Sequence, residues 1–363
     1  MKEYPAAPFN VEIAITGRCN LHCKHCLTKA ARNIKSADEL TKKELFRLFD
    51  EFKADKIFAL TISGGEPFLR PDILEILDKI KHYPFNLNIL TNGILINKKV
   101  VAVLKRLRYL RNIQVSLDGS NPEIHDWQRG KGNFQKALKG IRALGDNNIR
   151  YSLKAIINRH NFLDIENMLK LAKSFGLNAM AFGDVLECGE VCTYRNEICL
   201  TPEIYAAIII KLKALKKRYP DFVFSGTLAD LLGFIEAFKR HGPGKGKRGR
   251  FGKCGAGWSN IAIRPDGWVI PCPTLWPYKL GNIRKKGLLD IWNNSSGLKK
   301  IRDLCYVSLR QFARCRECQF ITYCNGGCRA AGYYANQRNL KGLDTVKCDI
   351  YSTKVLEYIL NRI

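Results

Sequence analysis

Short apolar runs alternate with longer amphipathic segments over the first half of the chain. Six runs have the length and the Val, Ile, Leu and Phe content of buried β-strands, at residues 11–15, 57–62, 87–90, 113–117, 151–157 and 178–182. Segments with helical spacing lie between them, at residues 42–53, 71–81, 97–107, 133–144 and 162–175. This alternation predicts a parallel, right-handed wound sheet that curls toward a barrel. Because eight units close a barrel, six predict an open one.

The loops after the first four strands carry polar and glycine residues. They are the cysteine-bearing segment 16–26, Gly64-Gly65-Glu66-Pro67, Thr91-Asn92-Gly93 and Asp118-Gly119. Parallel α/β folds place their active sites at the carboxyl ends of the strands. Any one of these glycines would usually serve only a turn. Four such loops at one edge predict a common site.

Three cysteines lie together in the first of these loops and are called the N-terminal triad. Cys19, Cys23 and Cys26 have the spacing C-x3-C-x2-C directly after the first predicted strand. Closed zinc and iron–sulfur sites take four protein ligands, so three thiolates leave one metal position open for a substrate or cofactor. The spacing by itself would also suit a zinc knuckle.

A second group of cysteines follows a change in composition. Helical patterns at residues 202–219 and 228–239 lead to a basic, glycine-rich segment at 241–253, which predicts a linker. Beyond it lie eight cysteines: Cys254, Cys272, Cys305, Cys315, Cys318, Cys324, Cys328 and Cys348. From residue 315 to 328 the spacing is C-x2-C-x5-C-x3-C, and two glycines before the last cysteine let the backbone wrap tightly round a metal centre. A pair of zinc ribbons would fit such spacings as well.

Composition limits the kinds of partner and the cellular compartment that the sequence predicts. Of the 363 residues, 60 are Lys or Arg and 33 are Asp or Glu, which gives a formal net charge of +27. This excess favours acidic partners such as an acidic peptide, a phosphate-bearing substrate or nucleic acid, although a lysine-rich solvated surface would produce it too. The sequence has neither an 18-residue apolar run nor the apolar core of a signal peptide, which predicts a cytoplasmic protein. In that compartment fourteen cysteines favour metal binding over disulfides.

The triad, the Gly64-Gly65-Glu66-Pro67 segment and the C-terminal cysteine order together resemble the radical S-adenosylmethionine (SAM) enzymes with a C-terminal SPASM domain. Anaerobic sulfatase-maturating enzymes and peptide maturases belong to this group. The resemblance implies an α/β fold, a partial (β/α)6 TIM-like barrel followed by a small cysteine-rich iron–sulfur domain. It predicts domains at residues 1–225 and 254–363, joined by a helical and basic linker at 226–253.

The resemblance also implies three [4Fe-4S] clusters. The first, whose fourth iron binds SAM, would be held by Cys19, Cys23 and Cys26. A complete auxiliary cluster would be held by Cys315, Cys318, Cys324 and Cys348. The other auxiliary cluster, which lacks the fourth cysteine that some relatives supply, would be held by Cys254, Cys272 and Cys328. Four cysteines receive no role from the resemblance: Cys188, Cys192, Cys199 and Cys305.

Contacts to SAM are implied at six positions, which are His25, Gly64, Gly65, Glu66, Ser116 and Arg129. Glu66 would face the SAM amino group, since a carboxylate pairs well with an ammonium. His25 stands where relatives often have an aromatic residue against the adenine. Ser116 and Arg129 match positions that hold the ribose or the carboxylate, and the planar guanidinium of arginine suits a carboxylate.

The implied activity is reductive cleavage of SAM to a 5′-deoxyadenosyl radical, which abstracts hydrogen from a peptide or protein side chain. Ferredoxin or flavodoxin would donate the electron, and no membrane partner is expected. A small-molecule enzyme of the same chemistry, such as one that modifies a tetrapyrrole, is the alternative. Nucleic-acid modification and a non-catalytic iron–sulfur carrier are weaker ones. Pro273 follows Cys272 where sulfatase-maturating relatives have their catalytic Asp, which argues against formylglycine formation.

Overall fold

The computed structural model of the protein describes residues 4–28, 34–243, 249–252, 254–351 and 353–363. Its strands are β1 (Asn10–Ala14), β2 (Ala59–Ser63), β3 (Asn86–Thr91), β4 (Leu110–Ser116), β5 (Tyr151–Ile157), β6 (Ala179–Asp184), β7 (Val223–Ser225), β8 (Asn260–Ile263), β9 (Trp268–Ile270) and β10 (Gly281–Asn282). The six strands predicted from the apolar runs all occur, as β1 to β6. The sequence patterns did not single out β7 to β10.

The α-helices of the described residues are α1 (Lys42–Ala54), α2 (Ile73–Ile80), α3 (Lys98–Leu104), α4 (Pro122–Arg129), α5 (Asn133–Gly145), α6 (Ile165–Ser174), α7 (Arg195–Ile198), α8 (Pro202–Arg218), α9 (Thr227–His241), α10 (Leu288–Asn294), α11 (Ser296–Asp303), α12 (Ala313–Arg316), α13 (Ile321–Cys324), α14 (Arg329–Ala335), α15 (Thr345–Ile350) and α16 (Thr353–Leu360). The seven helices predicted from spacing are present as α1, α2, α3, α5, α6, α8 and α9. None of the helices in the described ranges is long and apolar enough to cross a membrane.

The chain divides into two compact units, the first made of Met1–Lys154 and Gly255–Lys299. In this unit β1 pairs in parallel with β2 on one side and with β8 on the other, and the parallel order continues through β3 and β4 to the start of β5. Antiparallel β9 and β10 extend the sheet beyond β8. A C-terminal segment therefore lies beside the strand that precedes the triad. The predicted domain limits at residues 225 and 253 stay a prediction.

Strands β1, β3 and β4 of the first unit alternate between buried apolar residues and more exposed, mostly polar ones. In β1, Val11 and Ile13 are inaccessible to solvent, whereas Asn10 and Glu12 are half-buried on the opposite face. Side chains on this polar face bond across strands, as Ser63 Oγ does to Glu12 Oε1 at 2.6 Å. A closed barrel fills its interior with branched apolar residues. The polar inner face instead fits an open barrel that receives a ligand.

Helix α4 is short but well delimited, and it matters for the site. Asn121 caps it by accepting a hydrogen bond from Ile124 N at 3.0 Å, and Pro122 opens the first turn. Gly130, with φ +96°, ends it in a conformation that glycine adopts without strain. The resulting two turns bury one side of the helix, including Gln128 and Arg129.

The second unit comprises Ala155–Cys254 and Lys300–Ile363. Here β6 and β7 pair in parallel, and α8 packs against α9, α15 and α16. Its C-terminal part has a small core of its own, made of Phe251, Leu304, Leu309, Cys315 and Ile321. Helix α15, which carries Cys348, is therefore held against α8 rather than lying free on the surface.

Candidate cluster and cofactor site

The N-terminal triad lies in the loop that leaves β1. Cys23 is buried, while Cys19 and Cys26 are half-buried. Cys26 N donates to Cys23 O at 3.2 Å, and Leu21 N donates to Cys19 Sγ at 3.4 Å. Burial, against the lowering effect of Arg129 and with smaller contributions from Asp118, Cys19 and Cys26, raises the pKa of the Cys23 thiol to about 12. The three thiols are thus electrostatically coupled, as convergence on one centre requires.

The glycines of the loop after β2 let it approach the cysteine loop very closely. Gly65 N donates to Thr16 O and Glu66 N donates to Arg18 O, both at 2.8 Å. A Cβ atom on Gly65 would lie only 2.1 Å from Arg18 O. On Gly64, whose φ is +146°, it would lie 2.5 Å from Thr16 O. These two positions accept no side chain without moving the triad loop.

Glu66 joins three loops through its carboxylate. The side chain is inaccessible to solvent and accepts hydrogen bonds from Thr91 Oγ1 at 2.8 Å, Asn92 N at 2.8 Å and Phe68 N at 3.2 Å. Asn92 in turn donates to Asn20 of the cysteine loop at 2.8 Å. Burial raises the pKa of Glu66 to about 7, although these donors and Arg129 lower it. The carboxylate is therefore close to its titration point at neutral pH.

Arg129 lies inside the site, beside the triad, and is almost fully buried. Its Nε donates to Asp118 Oδ2, its Nη1 lies 3.9 Å from Cys23 Sγ, and its Nη2 lies 3.3 Å from His25 Nε2. Gln128 also donates to Asp118 Oδ2, at 3.2 Å, and contacts His25 Nδ1. A fixed cation next to a thiolate opposes the negative charge that a cluster brings.

The two histidines of the site are uncharged at neutral pH. Burial lowers the pKa of His25 to about 4, and the nearby Asp118 only partly offsets it. Burial also lowers the pKa of His125 to about 4, and its Nδ1 accepts a hydrogen bond from Asp118 N at 3.2 Å. A neutral imidazole at position 25 is the form that stacks on an adenine without the cost of burying a charge.

Ser116 is the last residue of β4 and is half-buried on the polar face of the sheet. It stands in register with Lys154 of β5. Five of the six positions predicted to contact SAM thus lie on loops or strand ends of the first unit, and Arg129 lies at the carboxyl end of α4 in the same unit.

Sequence reasoning missed several residues that hold the site together. Glu39 is buried, and its Oε1 accepts from Thr16 Oγ1 at 2.9 Å and from Gly17 N at 2.7 Å. Asp118 is inaccessible to solvent and pairs with Arg129. Only the Asp118-Gly119 turn signal pointed toward the latter, and nothing local marks Glu39.

Four C-terminal cysteines form a second coupled group, in the second unit: Cys315, Cys318, Cys324 and Cys348. Cys318 N donates to Cys315 O at 3.4 Å. Burial raises the pKa of Cys324 to about 12, with a further rise from Cys348. Burial raises the pKa of Cys348 to about 11, with further rises from Cys315 and Cys318. These four thiols influence one another's pKa, and their ligation of one cluster stays a prediction.

Cys254 and Cys328 are coupled in the same unit, since burial and then the nearby Asp344 and Cys254 raise the pKa of Cys328. Cys272 belongs to the first unit, where its Sγ lies 2.9 Å from Thr274 Oγ1. Of the cysteines without a predicted role, Cys188 is buried and Cys192 is exposed. Within the described ranges no three Cys, His, Asp or Glu side chains are grouped closely enough to hold a single metal ion.

Comparison with known proteins identifies the family. The family model of the radical SAM superfamily matches residues 13–179, and that of the SPASM iron–sulfur cluster-binding domain matches residues 254–319. The AdoMet-dependent heme synthase of Methanosarcina barkeri is 30% identical, over 91% of this chain and 93% of its own. The subtilosin biosynthesis protein AlbA of Bacillus subtilis is 29% identical, over 94% and 71%. The PqqA peptide cyclase of Ruegeria pomeroyi is 28% identical, over 89% and 83%.

The fold agrees with this assignment. The solved structure of native anSMEcpe with bound AdoMet superposes with a TM-score of 0.73 at 18% identity, covering 98% of this chain and 96% of that one. The predicted fold class, a partial (β/α)6 barrel followed by an iron–sulfur SPASM domain, is thereby confirmed. The chain belongs to the radical SAM superfamily and is an enzyme that uses SAM, a SAM-binding [4Fe-4S] cluster and auxiliary SPASM iron–sulfur clusters.

Proposed function

We propose that this radical SAM/SPASM enzyme modifies a side chain of a peptide or protein. The observation that carries the proposal is its similarity to the PqqA peptide cyclase, which extends over 89% of this chain and 83% of the cyclase. When bound, the first cluster and SAM supply a 5′-deoxyadenosyl radical that takes hydrogen from an unactivated carbon of the substrate. The protein contributes binding, orientation and the exclusion of water.

The triad would hold the SAM-binding cluster through Cys19, Cys23 and Cys26. Their electrostatic coupling and the guanidinium of Arg129 near Cys23 Sγ fit a negatively charged cluster. Binding of iron would replace the thiol protons, so the high pKa of Cys23 makes cluster assembly pH-dependent.

The SAM contacts would be made by residues of the loops after β1 and β2, the end of β4 and the end of α4, namely His25, Gly64, Gly65, Glu66, Ser116 and Arg129. A carboxylate offers about four acceptor positions, and the Glu66 carboxylate already accepts three hydrogen bonds. One position remains for the SAM ammonium, whose charge would keep Glu66 ionised. Glu66 would therefore both orient the loops and pair with SAM.

The two auxiliary clusters would be bound by the seven C-terminal cysteines that the resemblance predicts as their ligands. The coupled set in the second unit would hold one cluster completely, through Cys315, Cys318, Cys324 and Cys348. The other would be held by three thiolates, from Cys254, Cys272 and Cys328. Three protein ligands leave one iron open, and that iron would take a substrate thiolate, amide or carboxylate.

The central experiment is anaerobic reconstitution of the full chain with iron, sulfide, SAM and a strong reductant. Short synthetic peptides, one set acidic and one neutral, serve as probes, and 5′-deoxyadenosine and peptide mass are followed together. We expect 5′-deoxyadenosine to rise when a peptide substrate is added, with a matching change in peptide mass. A variant with the triad cysteines changed to Ala should form none. Failure of the wild type to form any 5′-deoxyadenosine would contradict the proposal.

A tetrapyrrole-modifying activity is the second candidate. It is favoured by the heme synthase of M. barkeri, which matches this chain over 93% of its own length. Fe-coproporphyrin III is the probe, assayed under the same conditions. A mass change in the tetrapyrrole, with the peptides unmodified, would establish this candidate in place of the first.

The partners would be acidic. The net charge of +27 favours an acidic electron donor, such as a ferredoxin or flavodoxin, and an acidic substrate segment. Both would be met in the cytoplasm.

A further inference from the structure

A buried ion pair joins the end of β6 to the helix that carries Cys348. Lys347 Nζ lies 2.8 Å from Asp184 Oδ2, and each side chain is only 16% exposed. Tyr205 OH donates to the same carboxylate oxygen at 2.9 Å, and Thr227 Oγ1 donates to the other. Burial alone would raise the pKa of Asp184, but Lys347 and these hydroxyls hold it below its usual value. The pair therefore stays charged in the interior.

The backbone of Lys347 is linked to two cysteines of the SPASM domain, to one through the chain and to the other through hydrogen bonds. Lys347 directly precedes Cys348, and its backbone N donates to Asp344 Oδ1 at 3.2 Å. Asp344 Oδ2 accepts from Cys328 N at 3.0 Å. Asp344 is 2% exposed, and a Cβ atom on Gly327 would lie 2.3 Å from its Cβ. A series of hydrogen bonds thus connects the end of β6 to Cys328, a predicted ligand of one auxiliary cluster. It passes through Lys347, which is adjacent in sequence to Cys348, a predicted ligand of the other cluster.

We propose that Lys347, oriented by Asp184, is a positioning residue that sets the reduction potential of the auxiliary cluster bound through Cys328. Reduction adds negative charge to a cluster, and a fixed cation in a low-dielectric interior stabilises the reduced form. The inference rests on the proposed ligand set of the auxiliary clusters. It goes beyond the proposed function because it assigns a task to residues that ligate no metal.

Stability alone does not account for such a pair. A buried ion pair recovers little net free energy over well-packed apolar side chains of similar volume, because desolvation of both charges opposes their attraction. A Met or Leu pair would serve the packing of α15 equally well. The charge of Lys347 instead changes the electrostatic potential at the cluster, because Lys347 is adjacent in sequence to Cys348 and is linked to Cys328 through Asp344.

The test uses the full chain with the three triad cysteines changed to Ala, reconstituted anaerobically so that only auxiliary clusters give a signal. Midpoint potentials are measured by EPR-monitored redox titration, and iron and sulfide are counted per chain. We expect K347M to shift the potential of the Cys328 cluster to a more negative value and K347R to retain it. D184N, which leaves the ammonium without its counter-charge, should shift the potential in the opposite direction.

The matched control is K211M, which removes the same formal charge from the second unit by breaking the ion pair of Lys211 with Glu166 on helices that carry no cysteine. It should leave both potentials unchanged. K347Q replaces K347M if that variant does not fold. Unchanged potentials at full iron content, or shifts of the same sign in K347M and D184N, would overturn the proposal. Equal loss of clusters in K347M, K347Q and K347R would also overturn it and leave a structural role only.

The ligand set itself is checked in parallel. C328A should remove one auxiliary signal and C348A the other, each with its share of iron. If neither variant loses iron, the proposed ligand set is wrong, whatever Lys347 does. If both lose iron as expected, the potentials of the Lys347 and Asp184 variants decide the inference by themselves.

Discussion

At the scale of single residues, the triad loop depends on side chains and backbone contacts outside the cysteine motif. Arg129 reaches both Asp118 and the sulfur of Cys23. The loop after β2 approaches so closely that Gly65 has no room for a Cβ atom. Two substitutions separate these contributions, one electrostatic and the other steric.

The electrostatic prediction concerns R129M. Removal of the guanidinium leaves Asp118 buried without its counter-ion, which is expected to lower the free energy of unfolding of the apoprotein by about 3–5 kcal/mol. Urea unfolding measures this loss. R129K keeps the charge but not the planar fork and should lose less. The double variant D118N/R129M should lose less than the sum of the single variants, and additive losses would argue against the pairing.

The steric prediction concerns G65A. Its Cβ would meet Arg18 O at 2.1 Å, so the triad loop must shift. We expect the variant to lose the iron of the SAM-binding cluster while it keeps the auxiliary iron. The control is G233A in α9, where a Cβ atom meets nothing within 4 Å. Iron and sulfide per chain give the readout, and full iron content in G65A would contradict the expectation.

Motif reasoning identified residues whose chemistry is visible locally and missed those that act through the fold. The cysteines, Glu66 and Arg129 lie in sequence motifs that indicate their chemistry. Asp118 and Glu39 gain their roles only because a turn after β4 and a segment before α1 bring them to the triad loop. The local sequence does not distinguish Asp118 or Glu39 from any other acidic residue beside a turn, so it does not predict these long-range contacts.

At the scale of elements, a long-range ion pair links α1 to the segment after β10. Arg284 Nε donates to Glu44 Oε1 at 2.6 Å, and its Nη2 donates to Glu39 O at 3.1 Å. Glu44 also closes the capping box of α1 with Thr41. One arginine from residues 255–299 therefore supports both the start of α1 and the segment that holds Glu39 under the triad loop.

This pair predicts a pH-dependent stability. Hydrogen bonds from Arg284 and, to a smaller extent, Thr41 lower the pKa of Glu44 to about 2, although burial opposes them. A lowered folded-state pKa gives stabilisation that is complete above the unfolded value, near 4.3, and is lost as pH falls toward 2. After solvent screening we expect R284M to lose about 1 kcal/mol at pH 7.

Urea unfolding of wild type and R284M at pH 7, 5 and 3 checks this expectation. The difference between the two proteins should be the same at pH 7 and pH 5 and smaller at pH 3. The control is K286M, two residues after Arg284, which breaks the exposed ion pair of Lys286 with Asp290. Its free energy of unfolding should differ little from that of the wild type at any of the three pH values. A difference that grows on acidification would reverse the assigned sign.

The strands and helices with strong apolar spacing, β1 to β6 and seven helices, were predictable, but the pairing partners of the strands were not. Helix α4 carries start and stop signals, Asn121-Pro122 and Gly130, yet its eight residues include only two large apolar side chains, Ile124 and Trp127, too few for an apolar periodicity to show. The apolar run of β8 gives no hint that it pairs with β1, because parallel pairing across a long separation depends on tertiary packing rather than on local pattern.

At the scale of the whole molecule, the net charge of +27 predicts how electrons are delivered. An acidic flavodoxin would be steered to a basic protein, and salt screens that attraction. We expect flavodoxin-supported formation of 5′-deoxyadenosine to fall severalfold between about 50 and about 300 mM NaCl. Reduced methyl viologen, a cation, is the control and should show no such fall. Equal salt dependence with both reductants would contradict electrostatic steering.

The pairing of β8 with β1 also bears on how the protein is made. Asn10 pairs with Asn260, so about 250 residues separate the two strands along the chain. At roughly 5–20 residues per second, β1 leaves the ribosome tens of seconds before its second neighbour exists. During that time one edge of the strand that leads into the triad is open. We therefore expect the triad loop to reach its final packing only after β8, which lies at the start of the SPASM region, has been synthesised.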